Sequence, residues 1–347
     1  MNTKRNVGIL VFLGGLLVVM AAHATLSMSE SVIRKGTTIE VLEPGPDLQD
    51  LIDGITDEGP GKPYLIKLGP GVYPIKPDGI TGFGLVMAPY ISIMGSGQGV
   101  TILLGAISAG TLGERSAIVT GANNAALTDL SVENKGASTF SVAIFNSHTS
   151  PRIQNVTATA SGAAVNNRGV SNGTSSRPTM INVTATASGA ASTNIGVSNL
   201  SAFPTMINVT ATASGAATRN TGVSNGDSSP TMINVTTTAS GAAKDNWGVR
   251  NGANSSPTMN NVTATASGAT SGNVGMEQAP PSILFRGGTQ VDSSTLSGTG
   301  TGAKGVIGIF AGDQITNTRI VGGVSNDDLT TTNCLNTFDA ALDPVDC

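Results

Sequence analysis

Residues 169–188 have the sequence GVSNGTSSRPTMINVTATAS, and this pattern returns along the middle of the chain. Its Asn-Val-Thr triplet begins at Asn155, Asn182, Asn208, Asn234 and Asn261. Successive triplets are 26 or 27 residues apart, which is the length of the repeating unit. A proline precedes each triplet by four residues. A period this short is typical of a solenoid, in which each repeat forms one coil and stacks on its neighbours.

Each repeat contains three short extended pieces, which predicts three strands per coil. Alternation along the last piece predicts one inward set, Ile181, Val183, Ala185 and Ala187, and one outward set, Asn182, Thr184, Thr186 and Ser188. Asparagine recurs in three columns, which begin at Asn155, Asn167 and Asn172. Asparagine tolerates the left-handed conformation of a bend, and stacked amides can bond from coil to coil. The columns therefore predict three corners and a three-sided coil.

This pattern resembles the right-handed parallel β-helix of the pectin lyase-like superfamily, over Ser116 to about Gly323. Residues 64–73 and 91–102 are similar to the opening coils of pectin methylesterases and their non-enzymatic relatives. The resemblance implies an all-β, three-sided solenoid. Between Asp47 and Ile55, the spacing of leucine and isoleucine predicts a short capping helix with Asp47 at its N-cap.

The N-terminus has the features of an export signal. Lys4 and Arg5 precede an apolar run over residues 7–22, and Ala22-His23-Ala24 suits signal peptidase. The run is shorter than the roughly 20 residues of a membrane anchor, which is the alternative. We expect a signal peptide over 1–24, a cap and first coils over 25–115, a regular β-helix over 116–323 and a tail over 324–347. This organisation predicts a secreted protein in the periplasm, at the cell surface or outside the cell.

The two cysteines, Cys334 and Cys347, lie near the C-terminus, and in an exported protein such a pair predicts a disulfide. The formal net charge of −4 gives no reason to expect nucleic acid. No second apolar stretch has the length of a membrane span. Each Asn-Val-Thr also matches a glycosylation acceptor, although the corner role already accounts for the residue.

The sequence contains no recognisable set of catalytic residues. Members of the resembled family that act on pectin use carboxylates with Arg or Lys, but residues 135–226 contain no Asp or Glu. Asp227 and Asp245 are expected in loops, and His148 is expected in a turn. Zinc and calcium patterns are absent from the sequence. We therefore assign no catalytic residue, cofactor or metal ligand.

One ordered surface is predicted, a pair of outward threonine columns. Its members are Thr157, Thr159, Thr184, Thr186, Thr210, Thr212, Thr236, Thr238, Thr263 and Thr265. Their predicted spacing is similar to that on the faces of solenoid ice-binding proteins, although threonine is also a good strand residue. Phe203 and Trp247 occupy variable positions of nearly identical coils and are candidate loop contacts.

These observations favour a secreted structural or adhesive β-helix protein whose partner is a polysaccharide or another cell-surface component. Two alternatives are a pectin-directed lyase or esterase and an ice-binding protein that uses the threonine face.

Overall fold

Parallel strands that wind into coils form the fold in the computed structural model, which describes residues 32–279, 289–300, 302–308, 313–325, 333–335, 337–339 and 344. The predicted signal peptide and Cys347 lie outside the described residues, and the side chain of Cys334 is not described, so the disulfide stays a prediction. No helix in the described ranges has the length and apolarity of a membrane span.

One strand of each coil belongs to a ten-stranded sheet. Its strands are β5 (Leu85–Val86), β8 (Ala117–Thr120), β10 (Phe140–Asn146), β12 (Asn166–Asn172), β14 (Thr193–Leu200), β17 (Arg219–Gly226), β20 (Asp245–Asn251), β23 (Gly272–Gln278), β26 (Lys304–Ile307) and β29 (Val324–Ser325).

The other strands form a second, bent sheet of twenty strands. They are β1 (Val32–Lys35), β2 (Thr38–Val41), β3 (Tyr64–Leu68), β4 (Gly71–Pro74), β6 (Ile91–Met94), β7 (Thr101–Gly105), β9 (Ala126–Asn134), β11 (Arg152–Ser161), β13 (Thr179–Ser188), β15 (Thr205–Ile207), β16 (Thr210–Ser214), β18 (Thr231–Ile233), β19 (Thr236–Ser240), β21 (Thr258–Asn260), β22 (Thr263–Ser267), β24 (Gln290–Asp292), β25 (Thr295–Gly298), β27 (Gln314–Thr316), β28 (Arg319–Val321) and β30 (Asn333–Leu335).

A representative coil follows β15, β16 and β17, with a corner at Asn208 between the first two strands. Each of these strands pairs in parallel with its counterpart in the next coil: β15 with β18, β16 with β19, and β17 with β20. Within the described residues every named strand pair except β1 with β2 is parallel. The predicted fold class, a right-handed parallel β-helix with three strands per coil, is confirmed.

The corner asparagine changes the predicted inward set. Asn182 has a φ of 53°, in the left-handed region, and the four other asparagines of its column have values of 52–54°. The chain turns at this residue, so alternation restarts after it. Met180 is therefore buried and Ile181 lies on the outer side, which makes the inward assignment of Ile181 wrong. Val183 and the alanines that follow it are buried as predicted.

All three asparagine columns form hydrogen-bonded ladders, but only the first lies at a left-handed corner. In the corner ladder each amide donates to the preceding coil, from Asn261 through Asn234, Asn208, Asn182 and Asn155 to the carboxylate of Asp129. The columns that contain Asn167 and Asn172 are buried within the ten-stranded sheet and donate toward the following coil. The prediction of three corner columns is thus correct for one column.

The coil is thin where the two sheets face each other. A Cβ atom at Gly196 would lie 2.8 Å from the backbone nitrogen of Thr212 and 2.7 Å from the carbonyl oxygen of Gly222. Glycines at the equivalent positions of neighbouring coils have similar surroundings: Gly169, Gly222 and Gly248. The glycine at this position of each of these coils therefore allows direct backbone contact between the sheets.

The predicted capping helix is present as α1, at Leu48–Asp53, and a short 3₁₀ helix spans Glu114–Ser116. Asp47 is the N-cap of α1, since the Asp47 side chain accepts a hydrogen bond of 2.8 Å from the backbone N–H of Gln49. Leu48 and Ile52 are buried in the core. The backbone N–H of Val86 donates to Gln49 Oε1, which ties the helix to the first strand of the ten-stranded sheet.

Candidate functional site

The outer face of the ten-stranded sheet carries a group of large polar and aromatic side chains on β17, β20 and β23. The ladder omits Gly248 and its counterpart Gly275 together, as it does the equivalent glycines of neighbouring coils, and the alternation of side chains shifts there while the register is kept. Val249 consequently packs in the core, while Trp247 and Arg250 lie outside the core cluster and contact each other. This shift places the Trp247 and Arg250 side chains on the same face.

The Arg–Trp cluster consists of Arg219, Asp245, Trp247, Arg250 and Glu277. The guanidinium carbons of Arg219 and Arg250 lie 4.8 and 5.0 Å from the centre of the Trp247 ring. Arg219 Nη2 lies 3.8 Å from Asp245 Oδ2, and Arg250 Nε lies 3.5 Å from Glu277 Oε1. The Trp247 ring contacts both guanidinium groups. Because Trp247 is only 8% exposed, its ring is not an open surface on which a ligand could stack.

Both cluster arginines keep unused hydrogen-bond donors. Within the described part of the chain the buried Nε of Arg219 has no hydrogen-bond partner, and the Nε of Arg250 has only the ion-pair contact of 3.5 Å with Glu277. The two arginine side chains are 38% and 40% exposed, so solvent or a ligand can reach them. A guanidinium in this state can bind a carboxylate or sulfate through two parallel hydrogen bonds.

Arg168 extends the cationic surface toward the N-terminus. It lies in the register column of Trp247, two strands before Thr221, and donates a 2.8 Å hydrogen bond to Ser198 Oγ. Burial lowers the pKa of Arg168 to about 10, and its Nε has no partner in the described residues. From Arg168 to Arg250 the surface spans three strand spacings, roughly 14 Å.

Glu277 is the cluster residue with a perturbed carboxyl group. Burial raises its pKa above the ordinary value, while Arg250 acts in the opposite direction. The charge of the cluster therefore depends on pH, because protonation of Glu277 removes one of its two negative charges. Asp245 contributes to the upward shift of the Glu277 pKa.

Two sequence-based assignments are corrected by these positions. Trp247 was expected in a loop, but it lies within β20 and is largely buried. Asp245 was also expected in a loop, but it is the first residue of the same strand. Variation between repeats was interpreted as a sign of loops, whereas here it lies on the outer face of strands. Asp245 follows Arg219 and Thr193 in one register column. An alignment of the repeats places these three residues at the same position, which is the sequence signal for a strand residue at 245.

The threonine columns lie on the other side of the coil, on β11, β13, β16, β19 and β22. One column pairs Thr157, Thr184, Thr210, Thr236 and Thr263 in register, and the other pairs Thr159, Thr186, Thr212, Thr238 and Thr265. Thr210, Thr236 and Thr263 are exposed, and the others are half-buried. The predicted geometry of two parallel columns is therefore present.

The remaining candidates lie in turns. Phe203 follows β14, is 40% exposed and has the guanidinium of Arg177 4.9 Å from its ring centre. His148 has a φ of 55°, as suits the expected turn, and its Nδ1 lies 3.1 Å from Ser147 Oγ. Asp227, also left-handed, accepts a hydrogen bond from Asn254. In the described ranges no three His, Cys, Asp or Glu side chains come together as a metal site.

Comparison with known proteins gives similarity at the level of the fold. No protein-family model matches the chain, and no curated protein matches it in sequence. The A-module of a mannuronan C-5 epimerase from Azotobacter vinelandii is 11% identical, covers 86% of this chain and 95% of its own, and has a TM-score of 0.39. Pectin methylesterase from Erwinia chrysanthemi is 10% identical, with 90% and 92% covered and a TM-score of 0.39.

A third similar structure is the catalytic unit of a GH87 α-1,3-glucanase from Streptomyces thermodiastaticus, 11% identical, with 92% and 72% covered and a TM-score of 0.33. The solved structures to which this chain is similar include right-handed parallel β-helix proteins with a pectin lyase-like fold. Identities and TM-scores this low transfer no activity to this chain.

Proposed function

We propose that this chain is a secreted β-helix protein that binds an acidic polysaccharide, without turnover, through the Arg–Trp cluster. The observation that carries the proposal is the pair of guanidinium groups held against Trp247 with unused donors. Carboxylate or sulfate groups of a ligand supply the acceptors that Asp245 and Glu277 do not reach at hydrogen-bond distance. The export signal expected over residues 1–24 supports a partner outside the cytoplasm.

The shape of the surface favours a polymer over a small anion. Arg168, Arg219 and Arg250 are distributed over four consecutive strands, so a chain that runs along the solenoid meets them in sequence. The formal net charge of −4 disfavours general attraction of polyanions, which leaves the local cluster to select its ligand. A polyuronate, with one carboxylate on each sugar, suits this arrangement.

Isothermal titration calorimetry with the full purified chain tests the proposal. Polygalacturonate and alginate are expected to bind, and amylose is not. Replacement of Arg219 or Arg250 by Ala is expected to weaken binding roughly 10- to 100-fold, because each removes charge-assisted hydrogen bonds. Arg177→Ala is the matched control, since Arg177 also stacks on an aromatic ring but lies in a turn.

Equal loss of affinity in Arg177→Ala and Arg219→Ala contradicts the assignment, as does equal binding of acidic and neutral polymers. Polyglutamate is a further control for charge alone. Binding of polyglutamate as tight as that of polygalacturonate removes the carbohydrate from the proposal and leaves an anion site.

A second candidate function is a pectin-directed lyase or esterase, which the two carboxylates beside arginines on the sheet favour. The raised pKa of Glu277 suits a proton donor. Absorbance of unsaturated products and release of methanol from pectin measure these reactions. Binding without turnover predicts background values for both, whereas turnover that disappears in Glu277→Gln favours the enzyme.

A further inference from the structure

The threonine face is a second surface whose chemistry the Arg–Trp cluster does not use. None of its ten threonine hydroxyls forms a hydrogen bond with another group in the described part of the chain. They are therefore available to solvent or to a ligand. By strand geometry, neighbouring threonines of the face repeat about every 4.8 Å from coil to coil and about every 6.6 Å along a strand.

The face is rigid because of what lies beneath it. Between the outward threonines, the inward positions are alanines with no exposure, such as Ala185, Ala187, Ala211 and Ala213. These strands contact the backbone of the ten-stranded sheet at the glycine column, where Gly196 leaves no room for even a methyl group. Threonine also has a restricted side-chain torsion because it is β-branched. Little conformational freedom is left to lose on binding.

A loop covers one end of the face. Gln98 donates a 3.4 Å hydrogen bond to the carbonyl oxygen of Asn182, and the N–H of Gly99 donates to Ser131 Oγ. Gln98 and Thr184 line a common cleft, which accounts for the lower exposure of Thr184. The open part of the face is therefore centred on Thr210, Thr236 and Thr263.

The composition of the face excludes most ligand classes. The two columns contain no charged residue from Thr157 to Thr265, so neither a polyanion nor a metal ion finds its usual partners there. They also contain no aromatic ring on which a sugar or a base could stack. What remains is an uncharged lattice of hydroxyl and methyl groups, repeated in two directions.

We propose that this face binds the surface of ice. Ice presents ordered water oxygens that repeat in two directions over similar distances, and each can exchange a hydrogen bond with a threonine hydroxyl. The methyl groups between the hydroxyls leave no competing polar partner for the bound water. A preorganised lattice meets another lattice without an ordering cost, which a flexible surface of the same composition would incur.

Thermal hysteresis and partition into a growing ice front are measured on the full chain. Wild type is expected to show both, and Thr236→Lys is expected to reduce hysteresis to background because a long cation stands in the centre of the face. Thr258→Lys is the matched control. Thr258 is an exposed threonine of β21, which the corner at Asn261 separates from the threonine face on β22. Circular dichroism spectra and melting temperatures of both variants establish that the fold is intact.

Thr236→Val provides a conservative second variant, since it removes the hydroxyl and keeps the shape and strand preference. It is expected to lower hysteresis at least severalfold. Absence of hysteresis and of ice partition in wild type overturns the proposal, and so does equal hysteresis in wild type and Thr236→Lys. Wild-type adsorption to crystalline cellulose or chitin in place of ice assigns the face to another class of ligand and also overturns it. The Arg219→Ala variant is expected to keep full hysteresis, so this test and the polyuronate test fail independently.

Discussion

Replacement of Gly196 by Ala tests whether direct contact between the sheets determines the coil. The new Cβ would lie 2.8 Å from Thr212 N and 2.7 Å from Gly222 O, whereas ordinary contact begins at 3.4 Å. The shortfalls are 3.4 − 2.8 = 0.6 Å and 3.4 − 2.7 = 0.7 Å. Both atoms belong to the backbone, so no side-chain rotation relieves the overlap. We expect a loss of about 3 kcal/mol in the free energy of unfolding, at the upper end for overpacking.

Gly215→Ala is the matched control, because Gly215 needs glycine for another reason. Its φ is +71°, and the nearest atom to a Cβ there would be 3.8 Å away. Only the left-handed conformation opposes the substitution, at about 1 kcal/mol. Urea titration followed by circular dichroism measures both losses. A loss for Gly196→Ala no larger than that for Gly215→Ala would refute the argument that the sheets are in direct backbone contact.

Three further predictions concern burial and charge. Met206→Ala should cost about 2–5 kcal/mol by urea titration, since Met206 is fully buried, and Ile207→Ala much less; a larger loss for Ile207 contradicts the corner geometry. Thr237→Ala should stabilise the chain by about 1 kcal/mol, because its buried hydroxyl has no partner in the described residues; destabilisation would mean that the hydroxyl is satisfied. Because burial raises the pKa of Glu277, the folded state holds that proton more tightly than the unfolded state, so stability should fall as pH rises through the folded pKa. The melting temperature of Glu277→Gln should lack this decline, and parallel pH profiles for both proteins would contradict it.

The regular part of the fold could be predicted because identical coils repeat identical constraints. Val183, the alanines after it and the threonines between them alternate as a strand requires, and the corner at Asn182 was recognised from its residue type. The alternation after Asn182 could not be extended back through the corner, because the left-handed residue changes which side chains point inward. Ile181 and Met180 therefore exchanged sides.

The candidate site was harder to predict because it depends on departures from the repeat. Trp247 and Asp245 replace residues that are Thr221 and Arg219 one coil earlier. Such variation alone does not distinguish an exposed loop from the outer face of a strand. The alternation also shifts at Gly248, as it does at the equivalent glycine of each neighbouring coil, and this shift places Arg250 beside Trp247. Strict period-2 alternation along the strand does not predict it. The cluster required coordinates.

The corner ladder has a start and a direction, which restricts how the chain can be lengthened. Its amides all donate toward the N-terminal coil, and the last acceptor is the carboxylate of Asp129. A carboxylate accepts hydrogen bonds but cannot pass one on, so an aspartate inside the ladder would face the oxygen of the preceding asparagine. Whole coils can therefore be gained or lost by duplication or deletion of one period beyond Asp129. The coil that carries Asp129 must remain first in the ladder.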